Sequence, residues 1–407
     1  MNRKKRVWAA LAVILLLAAY LRIDFLRSAD HEMPHDSLNY DTMVRQLLET
    51  GIYAYNGETP NALVTPGYPL FLAAVYEMAD YKEHNPLPLV RYIQALLSLV
   101  TLGFIYRIAR RFSGERTALI ALLLAAVYPP FVWANGAVLT EVLAIFLLMG
   151  YLLAQIRVFD EPSYGQAAAA GIWLGLTVLV RPEFLPLIAV AFAFQWLRGK
   201  EARKRTIRLF VCSAAAVVLL LAPWWIRNAV TLHQWVATAA QENPFRAGTY
   251  PYNTFNDESL VDPAGKTEKE LALARLKAGF STQPGLFIKW YTIGKMQYVY
   301  QSIYRGGGHQ PYYPVLPFNA NLLHRTLVLS GAIAVLAALR RWRETFALLA
   351  LVIVTMSLIR LGFVADYRYN VTMMPLIIIL VCILGRRAVT GWKNRRTQGA
   401  SVPKPAE

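Results

Sequence analysis

RKKRVWAALAVILLLAAYLRIDFL, residues 3–26, sets four consecutive basic residues ahead of twenty positions that carry only two charges, Arg22 and Asp24. As a helix, twenty residues rise about 30 Å, the thickness of the hydrocarbon layer of a bilayer. The basic start is like that of a secretory signal peptide. No small-residue cleavage site follows, however, and the run continues into Arg22 and Asp24, so the segment reads as a retained membrane span at about 7–26. Nine further apolar stretches follow at about 88–107, 116–134, 138–157, 166–181, 183–198, 207–226, 321–340, 345–363 and 369–386. The predicted fold is an all-α polytopic membrane protein with about ten transmembrane helices and amphipathic helices on its outer surface.

Composition agrees with this reading. Of 407 residues, 56% are hydrophobic and 16% charged, too apolar for an ordinary soluble enzyme and far too apolar for disorder. The net charge of +17 could suggest nucleic acid, but its distribution follows the spans. Connections on one side, with basic residues at 3–6, 107–116, 157, 198–208, 340–343 and 386–404, hold 24 of the 42 Lys and Arg against six acids (Glu115, Asp160, Glu161, Glu201, Glu344 and Glu407), a net of +18, whereas the rest of the chain nets −1. The positive-inside rule then puts both termini in the cytoplasm of a multi-pass protein of the plasma (inner) membrane. The basic balance is topology, and no nucleic-acid partner is expected. Cys212 and Cys382 lie in apolar runs and read as small buried hydrophobes.

Two outer segments, 27–87 and 227–320, are too long to be mere connectors. A single membrane domain over 1–388 is expected, followed by a basic cytoplasmic tail, 389–407. In the first segment Tyr40, Met43, Val44, Leu47 and Leu48 fall on one face of a 3.6-residue period, with Asp41, Arg45 and Glu49 opposite. This predicts an amphipathic surface helix capped by Ser37, ended by Gly51, and carrying Asp36 at its positive end. His31-Glu32-Met33-Pro34-His35 matches the zinc-peptidase pattern HExxH, but Pro34 opposes the helix that pattern needs. A looser divalent-metal site using some of His31, His35 and Asp36 stays open. Thr65-Pro66-Gly67-Tyr68-Pro69 predicts a rigid bend. In the second segment Thr267-Glu268-Lys269-Glu270 is a capping box opening a helix to about Gly279. A further helix from about Pro284 carries Trp290, Tyr291, Tyr298, Tyr300 and Tyr304 with Lys289 and Lys295, a mixture suited to anchoring at headgroup level.

Four charged groups fall at outer span ends: Glu141, Arg181-Pro182-Glu183, Arg227, and Asp366-Tyr367-Arg368 with Arg360 nearby. Any one could snorkel to the interface. Together with Asp36 at one membrane face, they point to a pocket for an anionic, phosphate-bearing, membrane-borne molecule.

In order along the chain stand Asp36-Ser37-x-x-Tyr40, Pro66-Gly67-Tyr68-Pro69, Arg91-x-x-Gln94-Ala95-Leu96-Leu97 and Leu139-Thr140-Glu141. Arg181-Pro182, Pro223-Trp224-x-Ile226-Arg227-Asn228, and Arg368-Tyr369 with Pro375 complete the set. The ordered set resembles the GT-C superfamily of glycosyltransferases, in the bacterial branch related to protein O-mannosyltransferases and aminoarabinose transferases. The resemblance covers about residues 1–385. It implies an enzyme that moves a sugar from a polyprenyl-phosphate donor to a lipid, glycan or protein acceptor on the extracytoplasmic face. Segment 27–87 would carry the catalytic acid, and 227–320 would lie on the acceptor side. Asp36 matches the essential acid, although the family often has Asp-Glu where this chain has Asp36-Ser37, and Glu141 matches the second acidic position. A polyprenyl phosphate leaves without protonation, so one carboxylate suffices as base toward the acceptor in an inverting displacement. Asp36 is expected in that role, with Glu141 orienting the acceptor or a metal. Tyr40, Tyr68, Arg91, Arg181, Arg227, Arg368 and Tyr369 are expected to bind substrate, the last three arginines taking the phosphate. Some larger relatives carry a C-terminal soluble domain that this chain is expected to lack, which leaves the acceptor open. A polysaccharide polymerase or ligase using similar donors, and a lipid or solute transporter, are the alternatives. A transporter would be expected to show matched broken repeats, and the two outer segments do not correspond.

Overall fold

The computed structural model describes residues 2–33, 35–199, 203–306 and 313–399, with the side chains of 392–399 excepted. Pro34 of the HExxH string, Lys200 and Glu201, residues 307–312 of the second outer segment, and the end of the basic tail from 400 lie outside the described residues. Helices make up the regular structure among those residues, with no strand.

Helix α1 (Arg3–Ser28) buries Ala18, Leu21, Arg22 and Phe25, packs Leu11, Ile14 and Leu15 partly against the core, and presents Trp8, Val13, Leu16 and Tyr20 outward, as a helix at the rim of a membrane bundle must. Helix α2 (His35–Thr50) is the predicted amphipathic helix, with Tyr40, Met43 and Val44 buried. Asp41 and Arg45 pair across one turn at 3.1 Å, and the Gly51 amide donates to the Leu47 carbonyl where the helix ends. The expected cap is not there. The helix already begins at His35, so Ser37 lies inside its first turn, with its hydroxyl buried and unpartnered among the described residues. The 65–69 bend leads into α3 (Gly67–Met78) as predicted.

Helix α4 (Leu87–Val127) joins the second and third predicted spans in 41 residues, about 60 Å of helix and twice the hydrocarbon thickness. Its break is Gly114 at φ 75°, ψ 179°, a conformation open only to glycine. The third span stops at Val127 rather than 134, because Pro129 and Pro130 have no N–H to continue it; a short helix, α5 (Pro129–Trp133), and the turn Ala134–Gly136 follow, all buried. Helix α6 (Glu141–Asp160) is buried almost all round and forms the axis of the bundle, packed by α4 and by α7 (Tyr164–Val180). Pro182 and Pro186 shorten the sixth predicted span to α8 (Leu187–Arg198), twelve residues. Helix α9 (Arg203–Leu232) runs through Pro223 and past the predicted end at 226.

The second outer segment folds into α10 (Asn243–Ala247), α11 (Glu268–Thr282), α12 (Pro284–Lys289) and α13 (Lys295–Gln301). The capping box of Thr267 and Glu270 opens α11 as predicted, and the helix runs to Thr282 rather than Gly279. The anchoring role expected of the following aromatic and basic residues is corrected for Trp290, Tyr304 and Lys295. Trp290 and Tyr304 are fully buried, and Trp290 donates to the Gly248 carbonyl at 3.2 Å. Lys295 is buried too and donates to the carbonyls of Leu361 and Phe363 at 2.6 and 2.9 Å, and burial pushes its ammonium pKa down to about 7. Lys295 thereby braces the loop after α15, and Trp290 is tied to Gly248 in the second outer segment.

Helix α14 (Ala320–Arg340), α15 (Ala347–Arg360) and α16 (Met374–Gly399) close the bundle, with α16 against α4 and α14. The tenth span starts at Met374 rather than 369, because Tyr367–Thr372 is a 3₁₀ turn. By length and composition six helices can cross a membrane, namely α1, α4, α6, α9, α14 and residues 374–391 of α16; α7 and α15 are apolar but only 17 and 14 residues long.

In a membrane, helices associate through close packing of small residues rather than by expelling water. The α7–α9 contact depends on this at Gly171, where an added Cβ would run into the Ser213 carbonyl oxygen and lie 2.8 Å from the Ala216 methyl. Gly171→Val is therefore expected to lower stability by about 1–3 kcal/mol through overpacking, read as an earlier thermal unfolding of the detergent-solubilised protein. An unchanged transition would contradict this packing.

Candidate active site

Five helix ends meet at one end of the bundle. Asp36 lies in the first turn of α2, Glu141 opens α6, Arg181 follows α7, Arg360 closes α15, and Arg368 lies in the 3₁₀ turn before α16. Acids at helix starts and cations at helix ends are each favoured by the backbone dipoles there, so local structure supplies part of the stabilisation of this charge cluster.

Arg368 is the hub. Its Nη1 lies 2.6 Å from Asp36 Oδ2, and its Nε donates to Glu141 Oε1. Glu141 Oε1 also accepts from Arg181 Nη2 at 2.5 Å, and Arg181 Nε donates to Thr140 Oγ1 at 2.9 Å. The Glu141 side chain is 1% exposed and that of Arg181 8%, against 21% for Arg368 and 49% for Asp36. Exposure thus rises outward along the chain of contacts, and Asp36 is the member that meets solvent. A second pair lies alongside, Arg360 Nη2 to Glu183 Oε1 at 2.8 Å. Arg360 also donates to the Tyr369 carbonyl at 2.6 Å and to Thr372 Oγ1 at 2.8 Å, while the Tyr369 ring lies between the guanidinium groups of Arg181 and Arg360 at 5.8 and 5.7 Å. Burial, with Glu141 and Asp36 close by, holds the Asp366 carboxyl above its usual range, although the Arg368 amide donates to it at 2.8 Å.

These groups wall one side of a cavity of about 960 Å³. Asp36, Tyr40, Arg181, Arg368 and Tyr369, all expected at the site, line it. Sequence reading took Thr65 only as part of a bend and passed over Tyr55, and Gln241, Arg246 and Tyr250 of the second outer segment, which line it too. No periodicity marks 237–250. The segment is positioned by tertiary bonds: the Trp224 and Trp225 indoles donate to the carbonyls of Thr238 and Ala237, both at 2.7 Å, the Ala240 amide to the Ala62 carbonyl at 2.8 Å, and the Val364 amide to the Pro244 carbonyl at 2.7 Å. Arg360 and Glu183 were noted in sequence only as charges near span ends, and their pairing across 177 residues has no local signal.

Other expected residues lie elsewhere. Arg227 donates to the carbonyls of Asn61 and Tyr53 at 2.8 and 3.0 Å and stacks over the Tyr53 and Trp224 rings, so it fastens the 52–62 loop to α9 and does not line the cavity. Arg91 donates to the carbonyls of Gly136 and His31, both at 3.0 Å, and ties α4 to the chain on either side. Tyr68 is buried behind Tyr40, its hydroxyl on Gln94 Oε1 at 3.2 Å. These three act behind the wall rather than in it. The His31 ring packs edge-on to Phe25, with Nε2 3.3 Å from the Leu26 carbonyl, whereas Asp36 faces Arg368. Among the described residues no three His, Cys, Asp or Glu side chains gather as a metal site.

Residues 64–226 match the dolichyl-phosphate-mannose-protein mannosyltransferase family. No curated protein matches the chain. Among solved structures, the archaeal oligosaccharyltransferase AglB from Archaeoglobus fulgidus, in complex with an inhibitory peptide and a dolichol-phosphate, shares the fold at a TM-score of 0.61 and 14% identity, over 100% of this chain and 53% of that one. Its apo form gives 0.60 and 15%, over 99% and 53%. ArnT from Cupriavidus metallidurans, bound to undecaprenyl phosphate, gives 0.48 and 15%, over 95% and 79%. The chain spans about half the length of the oligosaccharyltransferase chains it matches.

Proposed function

We propose that this chain is a membrane glycosyltransferase that moves a sugar from a polyprenyl-phosphate donor to an acceptor hydroxyl or amine at the membrane face where Asp36 lies. The observation that carries the reading is the half-exposed Asp36 carboxylate held by Arg368 at the edge of a cavity that Arg181 and Arg360 also line. A base and phosphate-binding cations thereby share one space. The family match and the fold held in common with a protein solved with a dolichol-phosphate support the same class of donor.

Asp36 takes the acceptor proton as the acceptor oxygen or nitrogen bonds to the anomeric carbon. The bond from that carbon to the phosphate oxygen breaks on the opposite side, and the configuration inverts. The polyprenyl phosphate leaves carrying the electron pair, and Arg368 and Arg181 stabilise the charge that grows on it. Glu141, enclosed behind both guanidinium groups, is a positioning residue: it fixes their heads without contacting substrate. That role replaces the orienting of acceptor or metal expected from sequence. Tyr40 and Tyr369 supply flat walls for the sugar.

Purified protein in liposomes, supplied with a labelled polyprenyl-phosphate sugar and an envelope-lipid extract as acceptor, is expected to release polyprenyl phosphate in step with label on the acceptor. Passage of intact donor across the bilayer without cleavage would establish the transporter instead. Growth of a repeating glycan would favour a polymerase.

A further inference from the structure

A second charged cavity lies at the other end of the bundle. Helix α6 fixes the geometry: Glu141 opens it at the Asp36 cluster, and Asp160, nineteen residues on and so about 28 Å away, pairs with Arg111 through two contacts of 2.7 Å. Arg111 belongs to a cavity of about 660 Å³ whose wall also includes Ser113, Arg341, Arg386, Arg387 and Thr390. It lies between the break in α4, the turn after α14, and α16.

We propose that this cavity binds the phosphate of an anionic phospholipid headgroup from the adjoining leaflet. Four guanidinium groups line it, and two carboxylates pair with them among the described residues. Asp160 is taken by Arg111, and Glu344 is shared between Arg387 at 2.7 Å and Arg341 at 3.7 Å. Arg386 has no carboxylate within 4 Å among the described residues, and its one side-chain bond, to Thr117 Oγ1, is long at 3.4 Å. Two positive charges therefore remain in excess, and the Ser113 and Thr390 hydroxyls beside them donate within the protein, to Thr117 Oγ1 at 3.2 Å and to the Arg386 carbonyl at 3.0 Å. Gly114 completes the wall. A Cβ there would lie 3.2 Å from Arg386 Nη1, so the glycine that breaks α4 also lets this guanidinium rest against the backbone. Phe112 lines the cavity, and Ile120 and Leu123 of α4 and Ile333 and Leu336 of α14 are exposed farther along the same helices. An apolar flank thus continues from the cationic rim, where acyl chains would lie, and this favours a lipid over a free phosphate. Basic pockets between membrane helices take such headgroups.

The test uses the whole protein in lipid nanodiscs and counts lipids retained in native mass spectra. The wild type is expected to keep phosphatidylglycerol in preference to phosphatidylcholine. At about fivefold in affinity per basic residue, Arg341→Gln with Arg386→Gln should weaken that retention about 25-fold. Arg343→Gln, at the same turn but outside the wall, should leave it unchanged. Equal retention of the two lipids by the wild type overturns the proposal whatever the variants do, and so does undiminished retention in the folded double variant. Displacement of bound phosphatidylglycerol by inorganic phosphate at comparable concentration would keep the anion chemistry but overturn the lipid as its source. None of these readings depends on sugar transfer at the other end.

Discussion

Asp36→Asn is expected to cut the rate of sugar transfer about 10²–10⁴-fold, the range a positioned general base contributes, while membrane insertion and thermal unfolding stay close to wild type. The two expectations separate because of where the side chain lies. Asp36 is 49% exposed, and its ion-pair partner among the described residues is Arg368 Nη1 at 2.6 Å. Arg368 keeps Glu141 when that contact weakens, and an asparagine carbonyl can still accept from it. The loss of stability is therefore that of a half-exposed ion pair, about 0–1 kcal/mol. The lost chemistry is a carboxylate able to take a proton. Initial rates of label transfer in liposomes, with an unfolding curve on the same preparation, check both halves. Full transfer by the folded asparagine variant would remove Asp36 as the base and leave the arginine-lined cavity without an assigned nucleophile activator.

The second large effect is on stability. Glu141→Gln is expected to destabilise the protein by about 3–5 kcal/mol, the cost of removing one partner from a buried ion pair. Glu141 Oε1 accepts from both Arg181 and Arg368, and among the described residues the other carboxylates on these two cations are Glu183, 3.6 Å from Arg181, and Asp36 on Arg368. Arg181 would keep a charge that is 8% exposed with only the longer contact to balance it. Pairing Glu141→Gln with Arg181→Met removes the stranded cation and should recover part of the loss, since contacting residues are not additive. The measurement is thermal unfolding in detergent of the two single variants and the double. A single variant that unfolds with the wild type would show that Glu141 is not the anchor of the arginine pair, and the positioning role assigned to it would fall.

The two variants also divide the cluster by function. Glu141 holds the arginines in place and is sealed away. Asp36 is held by one of them and remains open to the cavity. In the proposed reaction a donor phosphate arriving at Arg368 would compete with Asp36 for the same guanidinium and so loosen the carboxylate proposed as the base.

Much of this protein could be read along the chain. Hydrophobic length placed α1, α6 and α14 within a few residues of their ends, because a bilayer demands about twenty apolar residues wherever a helix crosses it. The 3.6-residue period marked α2, and the capping box marked α11, because both are contacts within a single helix. Glu141, Arg181 and Arg368 stood out because charges at span ends are costly and few, and Asp36 because it stands at the start of the amphipathic helix. Prolines moved the boundaries at Val127 and Leu187, a local effect that hydropathy alone overlooks. What chain order could not decide was partnership. Arg227 and Arg368 look alike in sequence, each an arginine beside an aromatic at the end of a span, yet one fastens a loop to α9 and the other joins Asp36 to Glu141 across 332 and 227 residues. Lys295 and Trp290 look like headgroup anchors until the loop after α15 closes over them. Length, period and caps are properties of neighbouring residues and survive in the sequence. Which cation meets which carboxylate depends on how helices far apart in the chain pack together, and only the tertiary structure contains that.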